Sequence, residues 1–167
     1  MSWQERPRWL RWGVEIALIV VVILAVSAWQ KRDHLRGNAP VTELNSIVNT
    51  PVVLQQADGS PVLVHFSASW CPICQMMQSS ILELRQSYPV ITILVQMSDQ
   101  EVTDWLAEHP SLLPEQVVRD DSGQLLRQFG GKALPMDVVI TAKGEIATSE
   151  QGLSSSWGLK VRLWLAN

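Results

Sequence analysis

The 167 residues leave room for one compact domain and an appendage, at roughly 100–200 residues per domain, and exclude two full domains. Hydrophobic residues make up 47% and charged residues 17%, a balance that excludes disorder and is drier than that of an ordinary soluble protein. Residues 1 to 36 carry six Lys/Arg against three Asp/Glu, and residues 37 to 167 carry seven against thirteen, so a basic head precedes an acidic body that argues against nucleic acid as a partner.

The head concentrates the excess hydrophobicity. Residues 12 to 29 contain a single charge, Glu15, and as a helix they would reach about 27 Å at 1.5 Å per residue, close to the ~30 Å hydrocarbon core. Trp12 and Trp29 bracket the run as interfacial rings do, so we expect one N-terminal transmembrane helix. A cleavable signal peptide is the competing reading, with Ala25-Val26-Ser27 before Ala28 as its small-residue cleavage site. Arg6, Arg8 and Arg11 precede the run, and Lys31, Arg32 and Arg36 follow it. With the terminal amine, the count favours a cytoplasmic N-terminus slightly. Export of the body follows from that orientation, to the periplasm in a bacterium. The expected division is residues 1–36 as tail, anchor and basic flank, and residues 37–167 as the folded domain.

In the body, residues 31 to 51 are polar and contain Pro40 and Pro51, which reads as a tether giving way to structure. Val62 to Phe66 is a nearly continuous apolar run, the pattern of a strand covered on both faces. Cys74, Met77, Ile81, Leu84 and Tyr88 then fall at helical steps, predicting a helix over Pro72 to Tyr88 that Pro89 ends. Val90 to Val95 is a second buried strand, completing a βαβ unit. Ser98 and Glu101 form a capping-box pattern ahead of Val102, Trp105 and Leu106, with Pro110 as the stop. A short helix is expected around Leu125, Leu126 and Phe129. A hairpin joins Val138–Thr141 to Glu145–Thr148. Ser155 or Ser156 caps a last helix, in which Trp157, Val161 and Trp164 can pack inward. This order describes an α/β sandwich around a mixed sheet.

Cys71-Pro72-Ile73-Cys74 sits where the first buried strand hands over to the helix. A thiolate at the first turn meets unpaired N–H groups and the positive end of the helix dipole, which favour the charged, nucleophilic form. Pro72 suits that turn, having no N–H to leave unsatisfied and a φ already helical. The spacing therefore suggests that Cys71 attacks a substrate disulfide and Cys74, one turn later and shielded, resolves the mixed disulfide. Two other uses of the pair remain open. It could be half of a zinc site, although His34, His65 and His109 are scattered. It could also be a Cu(I) carrier, because Cys71, Cys74, Met76 and Met77 are all soft ligands.

The segment from His65 through Trp70 to Cys74, together with Leu134-Pro135, resembles the thioredoxin superfamily. The match covers its strand, its Trp-Cys-x-x-Cys and helix start, and the place of its cis-proline. The resemblance implies a thioredoxin-like three-layer sandwich with a mixed sheet, preceded here by the transmembrane helix. It implies Cys71 and Cys74 as the redox-active disulfide with no other cofactor, and Trp70, Pro72, Ile73, Leu134, Pro135 and His65 as supporting residues. The backbone of Leu134 would pair with an extended substrate.

The whole chain resembles the membrane-tethered bacterial members, most of all the thioredoxin-like D proteins of the suppressor-of-copper-sensitivity group. That match rests on the ending Ser156 to Leu165, and the cytochrome c maturation thiol reductases are neighbours in the same subgroup. Protein disulfides would be the substrates, a transmembrane thiol-transfer protein the reductant, and the inner membrane the location. Two departures stand out. Where thioredoxins carry a buried acid that relays protons, this chain has His65, either as the relay or as a hydrogen-bonded core residue. Where many relatives have a hydroxyl residue after the proline, it has Met136-Asp137. Pro72-Ile73 supplies no positive charge or histidine to stabilise a Cys71 thiolate strongly, which points to a reductase rather than a strong oxidant.

Overall fold

In the computed structural model the described residues are 12, 14–22 and 37–167. The chain divides into two units, Met1–His34 and Leu35–Asn167. In the first, residues 14–22 are helical and Ile16, Leu18 and Ile19 are exposed. Among the described residues, no helix is long and apolar enough to cross a membrane. The rest of the expected span, residue 13 and residues 23–29, lies outside the described residues, as do Ala25 to Ala28 and the basic flank to Arg36.

The second unit is built on a six-stranded mixed sheet in the order β1-β8-β7-β4-β5-β6. Its strands are β1 (Gly37–Asn38), β4 (Val62–Ser67), β5 (Val90–Val95), β6 (Val117–Asp120), β7 (Met136–Ile140) and β8 (Glu145–Gln151), and β2 (Glu43–Asn45) and β3 (Pro51–Val53) form a separate hairpin. The helices are α1 (Pro72–Leu84), α2 (Asp99–Glu108), α3 (Gln124–Gln128) and α4 (Ser156–Leu165). Strands β4, β5 and β6 run parallel, and β7 joins β4 antiparallel. The continuous apolar runs of β4 and β5 become the centre of the sheet because each is buried at every residue, as strands covered on both faces must be.

The faces divide by residue parity. Leu63, Val90 and Val139 pack with Met77, Ile81 and Leu84 of α1 and with Leu159 and Leu163 of α4. On the same face, Leu94 and Val117 pack with Val102 and Trp105 of α2. The opposite face, with Val64, Phe66, Ile93 and Val138, is covered by Leu126 of α3, by Phe129 and by Val52 of the small hairpin. Phe66 and Phe129 meet there as a tilted ring pair with centroids 5.5 Å apart, an arrangement aromatic quadrupoles favour. These are the three layers of the expected sandwich.

Several elements match their expected causes. The Ser98 hydroxyl accepts the Glu101 N–H while the Glu101 carboxylate accepts the Ser98 N–H, a complete capping box at the start of α2. Ser155 caps α4 by accepting from the Gly158 N–H at 3.1 Å. The β7–β8 turn closes on Gly144, whose φ of +80° is open to glycine without a Cβ penalty.

Three expectations are corrected, and two elements go beyond them. Helix α1 ends at Leu84, not Tyr88, because the residue before Pro89 is driven out of the helical region; the Leu84 carbonyl accepts the N–H groups of Ser87 and Tyr88 in a tightened last turn. The segment expected as a tether to residue 51 is ordered into strands β1, β2 and β3 from Gly37 onward. The short 3₁₀ turn Pro114–Gln116 and strand β6 were not anticipated. Finally, Trp157 and Trp164 face solvent at 75% and 69% exposure. Leu159 and Leu163, one turn apart, take the inward stripe of α4 instead.

Candidate active site

Strand β4 ends at Ser67, and the turn Ala68-Ser69-Trp70 delivers Cys71 to the N-terminus of α1. Cys71 is the N-cap, with extended backbone, and Pro72 stands in the first turn. The Cys71 sulfur accepts the backbone N–H of Cys74 at 3.2 Å, one of the donors a helix start leaves without an internal partner. The two cysteines are joined in a disulfide. Cys71 retains 6% exposure and Cys74 1%, so the outer sulfur lies toward the surface and the inner one beneath it. Trp70, Ile73 and Met76, near the pair in the chain, are exposed. The first turn of α1 holds no acidic residue.

The turn ahead of Cys71 is braced from three directions. Gln75 Nε2 donates to the Ser69 carbonyl at 2.7 Å, the Ser69 N–H donates to Met97 Sδ at 3.4 Å, and Trp70 Nε1 donates to the Gln96 carbonyl at 3.2 Å. Ser69 Oγ donates to Glu101 Oε1 at 3.5 Å, which ties the turn to the cap of α2. The backbone N–H and then the hydroxyl of Ser98 hold the Glu101 carboxyl below its usual range.

The peptide bond between Leu134 and Pro135 is cis. Leu134 is half-buried against the cluster that contains Cys71 and Cys74, and the Pro135 carbonyl accepts the Gly152 N–H at 2.8 Å. Residues more than sixty positions apart in the chain are thus brought to one place beside the disulfide. Trp70, Pro72 and Ile73 adjoin the two cysteines in the chain, and Leu134 packs on their cluster.

His65 is buried on β4, two residues before Ser67. Its register partner on β7 is Asp137 and on β5 is Thr92. Nδ1 of His65 and Oδ1 of Asp137 are 2.8 Å apart, and both side chains are closed off from solvent. Among the described residues, His65 Nε2, Asp137 Oδ2 and Thr92 Oγ1 have no hydrogen-bond partner. Sequence reasoning placed His65 at the site and missed Asp137 as its partner. The available signal was an acid at the start of the buried run Val138 to Ile140.

Beside Cys74 a cleft of about 330 Å³ is lined by Ser67, Gln75, Gln78, Trp105, Glu108 and His109. His109 stacks on Trp105 with centroids 4.6 Å apart, and its Nδ1 is 2.6 Å from the Trp105 carbonyl. Among the described residues no group of three or more His, Cys, Asp or Glu could hold a metal ion. Met76 is exposed, whereas Met77 lies in the core and its sulfur accepts the Ser154 N–H at 3.4 Å. The four soft ligands named above therefore do not share one surface.

Known proteins agree with this geometry. The thioredoxin-like domain family matches residues 49–157, more than half of the chain. A thioredoxin-like protein of Haemophilus influenzae is 25% identical over 160 residues, covering 94% of each chain. The sporulation thiol-disulfide oxidoreductase A of Bacillus subtilis is 21% identical over 154 residues, covering 85% of this chain and 92% of its own. Among solved structures, a thiol:disulfide interchange protein of the thioredoxin family from Chlorobium tepidum superposes with a TM-score of 0.65 at 20% identity, over 79% of this chain and 97% of the other. The chain belongs to the thioredoxin-like domain family and is, with its Cys71–Cys74 pair, a thiol-disulfide oxidoreductase.

Proposed function

We propose that this protein is a disulfide reductase held by its N-terminal segment at the periplasmic face of a bacterial inner membrane. The observation that carries the redox part is the Cys71 sulfur at the cap of α1, accepting the Cys74 N–H at 3.2 Å and bridged to a sulfur shielded beneath it. In the reduced protein, the Cys71 thiolate attacks a substrate disulfide. A Cys71–substrate bond forms, and the other substrate sulfur leaves as a thiolate. Cys74 then attacks the Cys71 sulfur, forming the Cys71–Cys74 disulfide and releasing the second substrate thiol, so two electrons pass from the protein to the substrate. A transmembrane thiol-transfer protein restores the dithiol.

The exposed Trp70, Ile73 and Met76 suit a partly apolar segment of a protein substrate, and the Leu134 backbone is the expected pairing partner of that segment. The reductase direction is supported by Pro72-Ile73, which places no cation against Cys71. The apolar run 12–29 supports the membrane anchor. The resemblance of Ser156 to Leu165 to the suppressor-of-copper-sensitivity group supports a context of copper tolerance or cytochrome c maturation.

The test is Cys74→Ser, which stops the reaction at the mixed disulfide. Expressed in a bacterial host as the full chain, this variant should accumulate adducts on non-reducing gels that disappear on adding DTT. A Cys71→Ser, Cys74→Ser chain should show none. Absence of adducts from the single variant would contradict the proposed substrate class.

A further inference from the structure

Helix α4 is apolar on two opposite sides, and the protein core uses only one of them. Leu159 and Leu163 form the inward stripe and pack with Met77, Ile81 and Leu84 of α1. At 3.6 residues per turn, Trp157, Val161, Trp164 and Leu165 share the other side. Both indoles and Leu165 are exposed there, and Val161 is half-buried. No charged side chain interrupts this stripe. Lys160 and Arg162 flank it, one at each edge, and each is held in an ion pair, Lys160 with Glu83 at 2.6 Å and Arg162 with Glu150 at 3.4 Å. A helix face turned to water ordinarily carries polar residues, and two indoles left in solvent forgo the large apolar burial each ring offers.

We propose that this face of α4 lies on the surface of the bilayer in which the chain is anchored, with Trp157 and Trp164 at the level of the lipid headgroups. This rests on the membrane anchoring proposed above. Three observations favour a bilayer as the occupant. Indoles beside aliphatic side chains, with basic residues at the edges of the stripe, are the composition of a helix that lies in the interface plane. The domain is also kept close: residues 30–36 alone separate Trp29, at the end of the apolar run, from Gly37, so the chain from Trp29 to Gly37 reaches at most about 30 Å. Gly37 enters the sheet opposite Ile146 of β8, and the Arg162–Glu150 pair ties α4 to that same strand. Finally, the face is small. Its four side chains offer on the order of 400 Å², about half of what each partner contributes to a stable protein pair.

The arrangement bears on the redox site, because α4 packs on α1 and Cys71 caps α1. Docking of α4 sets the height of Cys71 above the bilayer, where a thiol partner embedded in the same membrane meets it.

The experiment uses the full chain carrying Trp3→Phe, Trp9→Phe, Trp12→Phe and Trp29→Phe, reconstituted at a low ratio of chain to lipid in nanodiscs of phosphatidylethanolamine and phosphatidylglycerol. Indole emission then comes from Trp70, Trp105, Trp157 and Trp164. Exchanging part of the lipid for an analogue brominated on its acyl chains, which quenches indoles that reach the acyl boundary, should lower this emission. The quenching should be kept in Trp70→Phe and lost when Trp157→Phe and Trp164→Phe are combined. Quenching that survives the combined change would overturn the proposal. A chain that enters the discs with no quenching at all would overturn the docking and leave the anchor standing. Pairing of chains in the discs with both indoles unquenched would overturn it in favour of a second copy on this face. A chain that does not enter the discs would overturn the anchor, and the docking with it.

Discussion

The backbone N–H of Cys74 points at the sulfur of Cys71 across 3.2 Å, so the residue proposed to resolve the reaction also helps to hold the sulfur proposed to begin it. A helix N-terminus offers such donors by construction, and a sulfur that accepts one is stabilised most when it carries negative charge.

The first consequence is selective reactivity. With limiting iodoacetamide, Cys71 in the reduced chain should be alkylated at least about tenfold faster than Cys74, because thiolate character and access both favour it. Peptide mapping by mass spectrometry after a short exposure reads the ratio. Preferential labelling of Cys74 would reverse the two roles.

A second prediction separates the inward and outward faces of α4. Leu159 is fully buried while Trp157 is 75% exposed. Leu159→Ala should therefore cost about 2–5 kcal/mol, the range for truncating a buried leucine. Trp157→Ala should stay within about 0.5 kcal/mol, as surface changes do. Urea denaturation of the two variants measures both; a larger loss for Trp157→Ala would contradict the assignment of faces.

That pair of residues also shows where sequence reasoning stops. The helix beginning at Cys71 was legible because its stripe, Cys74, Met77, Ile81 and Leu84, is apolar on one side only, and all four are buried. Helix α4 is apolar on two sides, with Trp157 and Trp164 opposite Leu159 and Leu163, so its pattern does not say which side faces inward. Strand β6 was missed because it is four residues long and half of it is Arg119 and Asp120; its pairing with β5, not its composition, makes it a strand. The Asp137 partnership with His65 spans 72 positions and is set by the register of β7 on β4, which no local pattern encodes.

A third prediction concerns acid. Glu101 closes the capping box of α2 and receives the Ser69 hydroxyl, and the Ser98 N–H holds its carboxyl below the ordinary value of 4.5. A carboxyl lowered in the folded state contributes stability that is full above its unfolded value and is lost as pH falls through the folded one. The difference in Tm between the unmodified chain and Glu101→Gln should therefore be constant near neutrality and vanish as pH drops below 4.5. Thermal scans across that interval test it, and a difference that grows toward acid would contradict the assigned hydrogen bonds.

The most direct test of the reductase assignment is the equilibrium potential of the Cys71–Cys74 couple, measured on the full chain in detergent by titration in DTT and glutathione buffers with the thiols quantified. A reversible two-electron couple below roughly −230 mV, toward the thioredoxin value of roughly −270 mV, is the predicted result. A potential near the roughly −120 mV of a strong periplasmic oxidant would contradict the direction, and the absence of any reversible couple would contradict the oxidoreductase itself.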